Sequence, residues 1–137
     1  LEGFADMIDK EKFLATKGKG FPKQLFETYD EHYASPSKNF KKVDSMLVVL
    51  SGRPEVAKQS GKAINELLPL AGHPHGYFMA KTIAAVHGKN ELMKTIYNPF
   101  AFFKAYNVAA KKHKDAYVFS KEAMAYLDRL EVTYFEK

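Results

Sequence analysis

The sequence predicts an all-α fold, an irregular array of about seven or eight helices. Three observations lead to this prediction. Apolar residues recur at helical spacing along most of the chain, prolines and glycines separate the periodic segments, and strand signals are weak. The cluster of β-branched residues in LVVL, at positions 47–50, lies inside a helical period and does not indicate a strand.

The first four helices follow from their apolar faces and from the residues that end them. A helix over about 2–14 ends before the breaker-rich sequence KGKGFP, in which Pro22 suits the first turn of a second helix to about residue 33. A third helix, with apolar residues at 40, 43, 46, 47 and 50, stops at Ser51 and Gly52. Pro54 opens the fourth, and its apolar face extends to residue 68.

The later helices have equally clear boundaries. The breaker cluster AGHPHG contains Pro74, which begins a fifth helix over about 76–86 that Gly88 closes. A short helix over about 90–97 comes next. Asn98 is then the predicted N-cap of a helix with Pro99 in its first turn, and Ser120 is the N-cap of a last helix to about residue 134.

Composition limits the function classes. The 137 residues suit one domain, 1–137, without an internal boundary. The net charge of +5 comes almost entirely from lysines that alternate with acids, since only Arg53 and Arg129 are arginines, and this indicates a solvated surface rather than a nucleic-acid interface. No apolar run reaches membrane-spanning length. The lack of cysteine excludes thiolate chemistry and leaves the compartment open, with a bacterial periplasmic or secreted setting favoured over the cytoplasm.

Five histidines are the candidates for metal or acid–base chemistry: His32, His73, His75, His87 and His113. The two in the sequence HPH are expected on different sides of an extended turn, a poor arrangement for chelation by the pair. We therefore favour solvent-facing imidazoles at the start of a helix over a metal role for these two residues.

Two acids lie four residues apart in the first helix. Glu2 and Asp6 share one face, because residues i and i+4 of a helix lie one above the other. One interpretation is that acids at a helix N-terminus complement the helix dipole. Another is that Glu2 is not native to the chain and has no role. The third is that one carboxylate binds a cation while the other holds a neighbouring ligand in place.

Two groups of motifs carry a family resemblance. The pattern E-G-x-A-D, with Glu2 and Asp6, resembles the third-ligand helix of gluzincin-type zinc peptidases. The stretch that begins at residue 72 resembles the C-terminal region of an uncharacterised bacterial family of zinc-dependent peptidases. The elements G-x-P-x-G-Y-x-M-A and N-P-x-x-F-F carry this second resemblance, and they lie at 72–80 and 98–103.

The resemblance implies a zinc site, a peptide or protein substrate and a role for each candidate residue. Glu2 would be the third zinc ligand, and Asp6 would orient a ligating histidine. Tyr77, with His73 or His75 behind it, would stabilise the oxyanion that forms on the substrate. In such enzymes zinc polarises the scissile carbonyl and lowers the pKa of a bound water.

The chain departs from the family pattern because it contains no H-E-x-x-H. The resemblance then implies that the chain is the C-terminal helical subdomain of a larger catalytic domain. An upstream segment would supply two histidine ligands and the general base, and the isolated chain would be inactive.

Two alternatives remain open. In the first, the chain is an all-α ligand-binding domain. One version is a globin-like haem pocket with His87 or His75 as axial ligand and Phe40 as a packing aromatic. In the second it is a protein-interaction module whose aromatic faces meet a partner.

Overall fold

The computed structural model describes the backbone of residues 2–136 and the side chains of residues 5–136. This part of the chain forms eight α-helices and no strand: α1 (Glu2–Ala15), α2 (Lys23–Ala34), α3 (Ser37–Gly52), α4 (Ala57–Leu67), α5 (His73–His87), α6 (Lys89–Met93), α7 (Pro99–Ala110) and α8 (Lys121–Phe135). Short 3₁₀ helices, Pro54–Val56 and Leu70–Gly72, precede α4 and α5. The prediction of an all-α fold with about seven or eight helices is confirmed.

Helix α5 lies at the centre of the array. It packs against α1, α2, α6 and α7, whereas α3 packs against α4 and α8. Buried residues occur around α5 on more than one side, among them Tyr77, Met79 and Ile83, as expected for a helix with neighbours all round. No helix in the described part of the chain is both long and apolar enough to cross a bilayer.

The apolar side chains form two clusters that meet at α5. The larger cluster joins α3, α5, α7 and α8 through buried residues such as Phe40, Ile83 and Tyr106. The smaller one lies between α1, α2 and α5 and consists of Phe13, Tyr29 and Tyr77 with partly buried neighbours. The rings of Phe13 and Tyr29 meet edge to face with centroids 5.4 Å apart. The smaller cluster thereby places α1 against the first turns of α5.

Side-chain caps begin the last two helices as the sequence predicts. The Asn98 side chain accepts a hydrogen bond from the backbone N–H of Ala101 at 3.0 Å, and Pro99 occupies the first turn of α7. Ser120 Oγ accepts from the backbone N–H of Ala123 at 3.2 Å at the start of α8. Both contacts satisfy amide groups that have no partner within the helix.

A buried carboxylate joins α3 to the segment before α8. Asp44 is 4% exposed and accepts hydrogen bonds from Tyr117 Oη at 2.6 Å, from Ser120 Oγ at 2.6 Å and from Ser120 N at 3.0 Å. These hydrogen bonds replace the ones to water that the carboxylate loses on burial. Asp44 therefore fixes the position at which α8 begins.

Two expectations for the HPH segment are wrong. Helix α5 already begins at His73, so the segment is helical rather than an extended turn. His75 is buried, at 2% exposure, and does not face solvent. The reason lies just upstream, because Leu70 and Ala71 adopt φ values of 55° and 53° and turn the chain directly into α5.

Candidate functional site

The candidate site is built around Asp6, a carboxylate on α1 that is 2% exposed. Its Oδ2 accepts a hydrogen bond from Tyr29 Oη at 2.9 Å, and its Oδ1 lies 3.0 Å from His73 Nδ1. Lys10 Nζ, one helical turn along α1, lies 3.5 Å from Oδ1. A buried carboxylate is tolerated only with such partners. Asp6 therefore links α1, α2 and α5 at one point.

His73 is the first residue of α5, and its side chain is 31% exposed. A carboxylate only accepts hydrogen bonds, so His73 Nδ1 carries the hydrogen in its contact with Asp6. This contact fixes both the orientation of the ring and its tautomer. The left-handed residues Leu70 and Ala71 set the position of the first turn of α5 that carries the ring.

Tyr29 on α2 completes the arrangement from the other side of the carboxylate. Burial raises the pKa of its hydroxyl far above the usual value, and the hydrogen bond to Asp6 adds to the shift. The hydroxyl is therefore a permanent donor that holds Oδ2, while Oδ1 faces His73. Helical spacing in the sequence predicts only that Tyr29 lies on the apolar face of the second helix. The one available signal was that a buried tyrosine hydroxyl needs a hydrogen-bond partner.

Tyr77 lies one turn along α5 from His73 and is 1% exposed. Its ring stacks on Tyr33 of α2 with centroids 5.1 Å apart. Burial raises the pKa of Tyr77 to about 12, and Tyr33, Glu11 and Asp6 add to the effect. The hydroxyl thus stays protonated beside the acids of α1. The structure places this predicted oxyanion donor in the smaller apolar cluster, next to the Asp6–His73 pair.

His75 lies on the opposite side of the first turn of α5. Its Nε2 lies 3.2 Å from Asn39 Nδ2, which also lies 3.0 Å from His32 Nδ1. Its Nδ1 is enclosed and has no hydrogen-bond partner among the described residues. Burial, with His32 nearby, lowers the pKa of His75 to about 4, so the ring is neutral at neutral pH. Its Nε2 is engaged by Asn39 and its Nδ1 is enclosed, so the surroundings of this ring give the haem alternative no support.

The haem alternative also involves His87 as axial ligand and Phe40 as a packing aromatic. His87 Nε2 is likewise enclosed without a hydrogen-bond partner in the described part of the chain. Phe40 packs in the larger apolar cluster, with its ring centroid 5.6 Å from that of His75. Neither His87 Nε2 nor His75 Nδ1 is exposed to solvent.

Glu2 belongs to α1 by its backbone, one turn before Asp6, but its side chain lies outside the described residues. Among side chains 5–136, no group of three or more histidine, cysteine, aspartate or glutamate residues is arranged to hold a metal ion. A zinc ion in a catalytic site takes three protein ligands. The described residues alone do not fit a complete zinc site, although Asp6 and His73 form the kind of carboxylate–imidazole pair that surrounds one.

The fold and the site together define an all-α chain in which a buried carboxylate orients an imidazole at a helix start. A protein-family model described as "Putative zinc dependent peptidase (DUF5700)" matches residues 1–115. The chain belongs to this family. The match covers α1 to α7 and therefore contains the Asp6–His73 pair. The searches of curated proteins and of solved structures returned no match.

Proposed function

We propose that residues 1–137 form one helical subdomain of a zinc-dependent peptidase and contribute part of its active site. The family supports zinc and a peptide substrate. The observation that carries the proposal is the hydrogen bond between Asp6 and His73, which joins the acidic helix α1 to the start of α5 across 67 residues. In this proposal Glu2, one turn from Asp6, is a zinc ligand, and an upstream H-E-x-x-H segment provides the other ligands and the general base.

In this proposal His73 is a hydrogen-bond donor to the substrate and not a zinc ligand. Two histidines of H-E-x-x-H and Glu2 already make three protein ligands, and a catalytic zinc site needs its fourth position open for water or substrate. A fourth protein ligand would close it. An imidazole whose Nδ1–H goes to Asp6 can donate to the carbonyl oxygen on which negative charge develops only as an imidazolium, with a second proton on Nε2, and the Asp6 carboxylate stabilises this cation.

The proposal assigns Asp6 and Tyr29 a positioning role. Asp6 fixes the ring of His73, and Tyr29 fixes Asp6. The sequence predicts Tyr77 and His75 near the oxyanion. In this proposal they do not contact the substrate, and their role is to pack the first turns of α5 against its neighbours. Their burial supports this restriction, because an enclosed side chain cannot donate to a substrate without leaving its place.

The test uses the full-length natural protein in its zinc-loaded form. Glu2→Gln should lower the zinc content, whereas Asp6→Asn should retain zinc and reduce kcat by about 10–100-fold. Asp9→Asn is the matched control, because Asp9 is an exposed acid on the same helix, and it should leave both quantities unchanged. Unchanged zinc content in Glu2→Gln removes Glu2 from the site.

Two further results decide between parts of the proposal. A full-length sequence without H-E-x-x-H contradicts the peptidase mechanism as a whole. Normal activity of Asp6→Asn contradicts only the role of the Asp6–His73 pair, since zinc content and peptidase activity are then still present.

A further inference from the structure

A cavity of about 630 Å³ lies on the side of α5 that faces away from Asp6. Its walls come from α3, α5, α7 and the segments on either side of α5, and they include Leu68, Met79 and the aromatic rings of Phe40, Phe102 and Phe103. This volume falls within the range of about 300–1,000 Å³ that is typical of small-molecule sites. The site is separate from the proposed peptidase site, since neither Asp6 nor His73 lines it.

The interior of the cavity offers almost no polar recognition. None of the residues that line it is an aspartate, glutamate, lysine or arginine. Of the polar side chains inside, Thr95 donates to the carbonyl of Leu92 at 2.8 Å, and His75 Nε2 contacts Asn39 while its Nδ1 is enclosed. A peptide, sugar or nucleotide would lose its hydrogen bonds to water there without replacing them. The occupant must therefore be apolar along the enclosed part of its length.

The mouth of the cavity, unlike its interior, is lined by exposed tyrosines. Tyr97 and Tyr134 both line the cavity and are 90% and 65% exposed. Both side chains are therefore in contact with water where the apolar wall ends, and tyrosine suits such a boundary because its ring is apolar and its hydroxyl polar. An occupant with an apolar body and one polar end would match both parts.

We propose that this cavity binds the alkyl chain of a single-chain amphiphile, whose polar end remains at the mouth beside Tyr97 and Tyr134. The chain lies among the aromatic walls, and the head group stays in water. Because each buried methylene contributes a similar free energy, affinity should rise by about threefold to fourfold for every carbon added while the chain still fits.

The experiment titrates the full-length natural protein, labelled with ¹³C at its methionine methyl groups, with hexanol, octanol, decanol and dodecanol. Met79 lines the cavity, and its signal should shift and saturate. Met7 and Met93 report on a second cavity of about 410 Å³ between α1 and α6. Met46 and Met124 line neither cavity and are internal controls.

A pair of adjacent leucines gives matched variants. Leu68 lines the cavity and Leu67 does not, and both are half-buried at the end of α4. Leu68→Phe should fill part of the space and weaken decanol binding by about tenfold or more, whereas Leu67→Phe should bind as the natural chain does. The dispersion of the methionine methyl signals shows for each variant that the protein is folded.

Several outcomes overturn the proposal. One is a Met79 signal that does not move while the chain remains folded. Others are shifts confined to Met7 and Met93, affinity that does not rise with chain length, and equal binding by both leucine variants. Tighter binding of naphthalene than of decanol also contradicts it, because the site would then select flat rings.

Discussion

Replacing Tyr29 with phenylalanine should destabilise the fold and isolate the contribution of one hydroxyl. The Tyr29 Oη–Asp6 Oδ2 hydrogen bond is 2.9 Å long and both side chains are 2% exposed. Phenylalanine retains the ring and its edge-to-face contact with Phe13, so the change removes one donor and leaves the packing in place. What remains is a buried carboxylate oxygen without its partner.

The magnitude follows from the charge and the burial of the acceptor. A hydrogen bond to a charged group contributes about 1.5–3 kcal/mol, roughly twice as much as one between neutral groups. The free energy of unfolding of Tyr29→Phe should therefore fall by about 2 kcal/mol. Asp6 should also lose part of its hold on His73, because Tyr29 and His73 bind the two oxygens of one carboxylate.

Urea denaturation followed by circular dichroism measures this difference. Tyr33→Phe is the matched control, since Tyr33 lies one turn further along α2, stacks on Tyr77 and makes no side-chain hydrogen bond within the described residues. It should change stability by less than about 0.5 kcal/mol. Equal effects of the two substitutions would refute the inference that the Asp6 contact contributes to folding.

Three further changes test other parts of the structure in the same assay. Burial lowers the pKa of His75 to about 4 from 6.5, so the unfolded chain binds this proton first as the pH falls. Stability should then decline by about 3 kcal/mol between these two pH values, and His75→Gln should flatten this part of the profile. Ala71→Gly should stabilise by about 1 kcal/mol because Ala71 has a left-handed φ of 53°, whereas Ala85→Gly in the exposed face of α5 should destabilise by about as much. Asp44→Asn should cost about 2–3 kcal/mol by placing a donor among donors. Exposed Glu122→Gln, measured beside it, should cost less than about 1 kcal/mol, because it removes only a favourable charge from the first turn of α8.

The helices could be predicted because their signals are local. The N-caps Asn98 and Ser120 lie within three residues of the amides they bind, and helical periodicity repeats every few residues. The sequence predicts a start of α5 at about residue 76, later than the observed His73, because the turn before it uses Leu70 and Ala71 in left-handed conformations that favour glycine. No propensity rule anticipates a turn of that kind.

The candidate site could be predicted only as separate parts. Motif resemblance indicated Asp6 and His73 individually, but their contact spans 67 residues and depends on how α1 packs on α5. Tyr29 was missed as a functional residue because helical periodicity treats a tyrosine as an apolar side chain. Its hydroxyl has significance only once the carboxylate 23 residues away is known to be buried beside it.

The HPH sequence shows how one local pattern yields two unlike imidazoles. Residues two apart on a helix point about 200° away from each other, which is why His73 and His75 cannot chelate a metal as a pair. The same geometry turns His73 towards the Asp6 carboxylate and His75 into the apolar interior beside Asn39. One ring is held in a fixed tautomer at a partly exposed position, and the other is kept neutral by burial. Substitution of His75 should therefore change the acid stability of the fold, whereas the chemistry of the proposed site depends on His73.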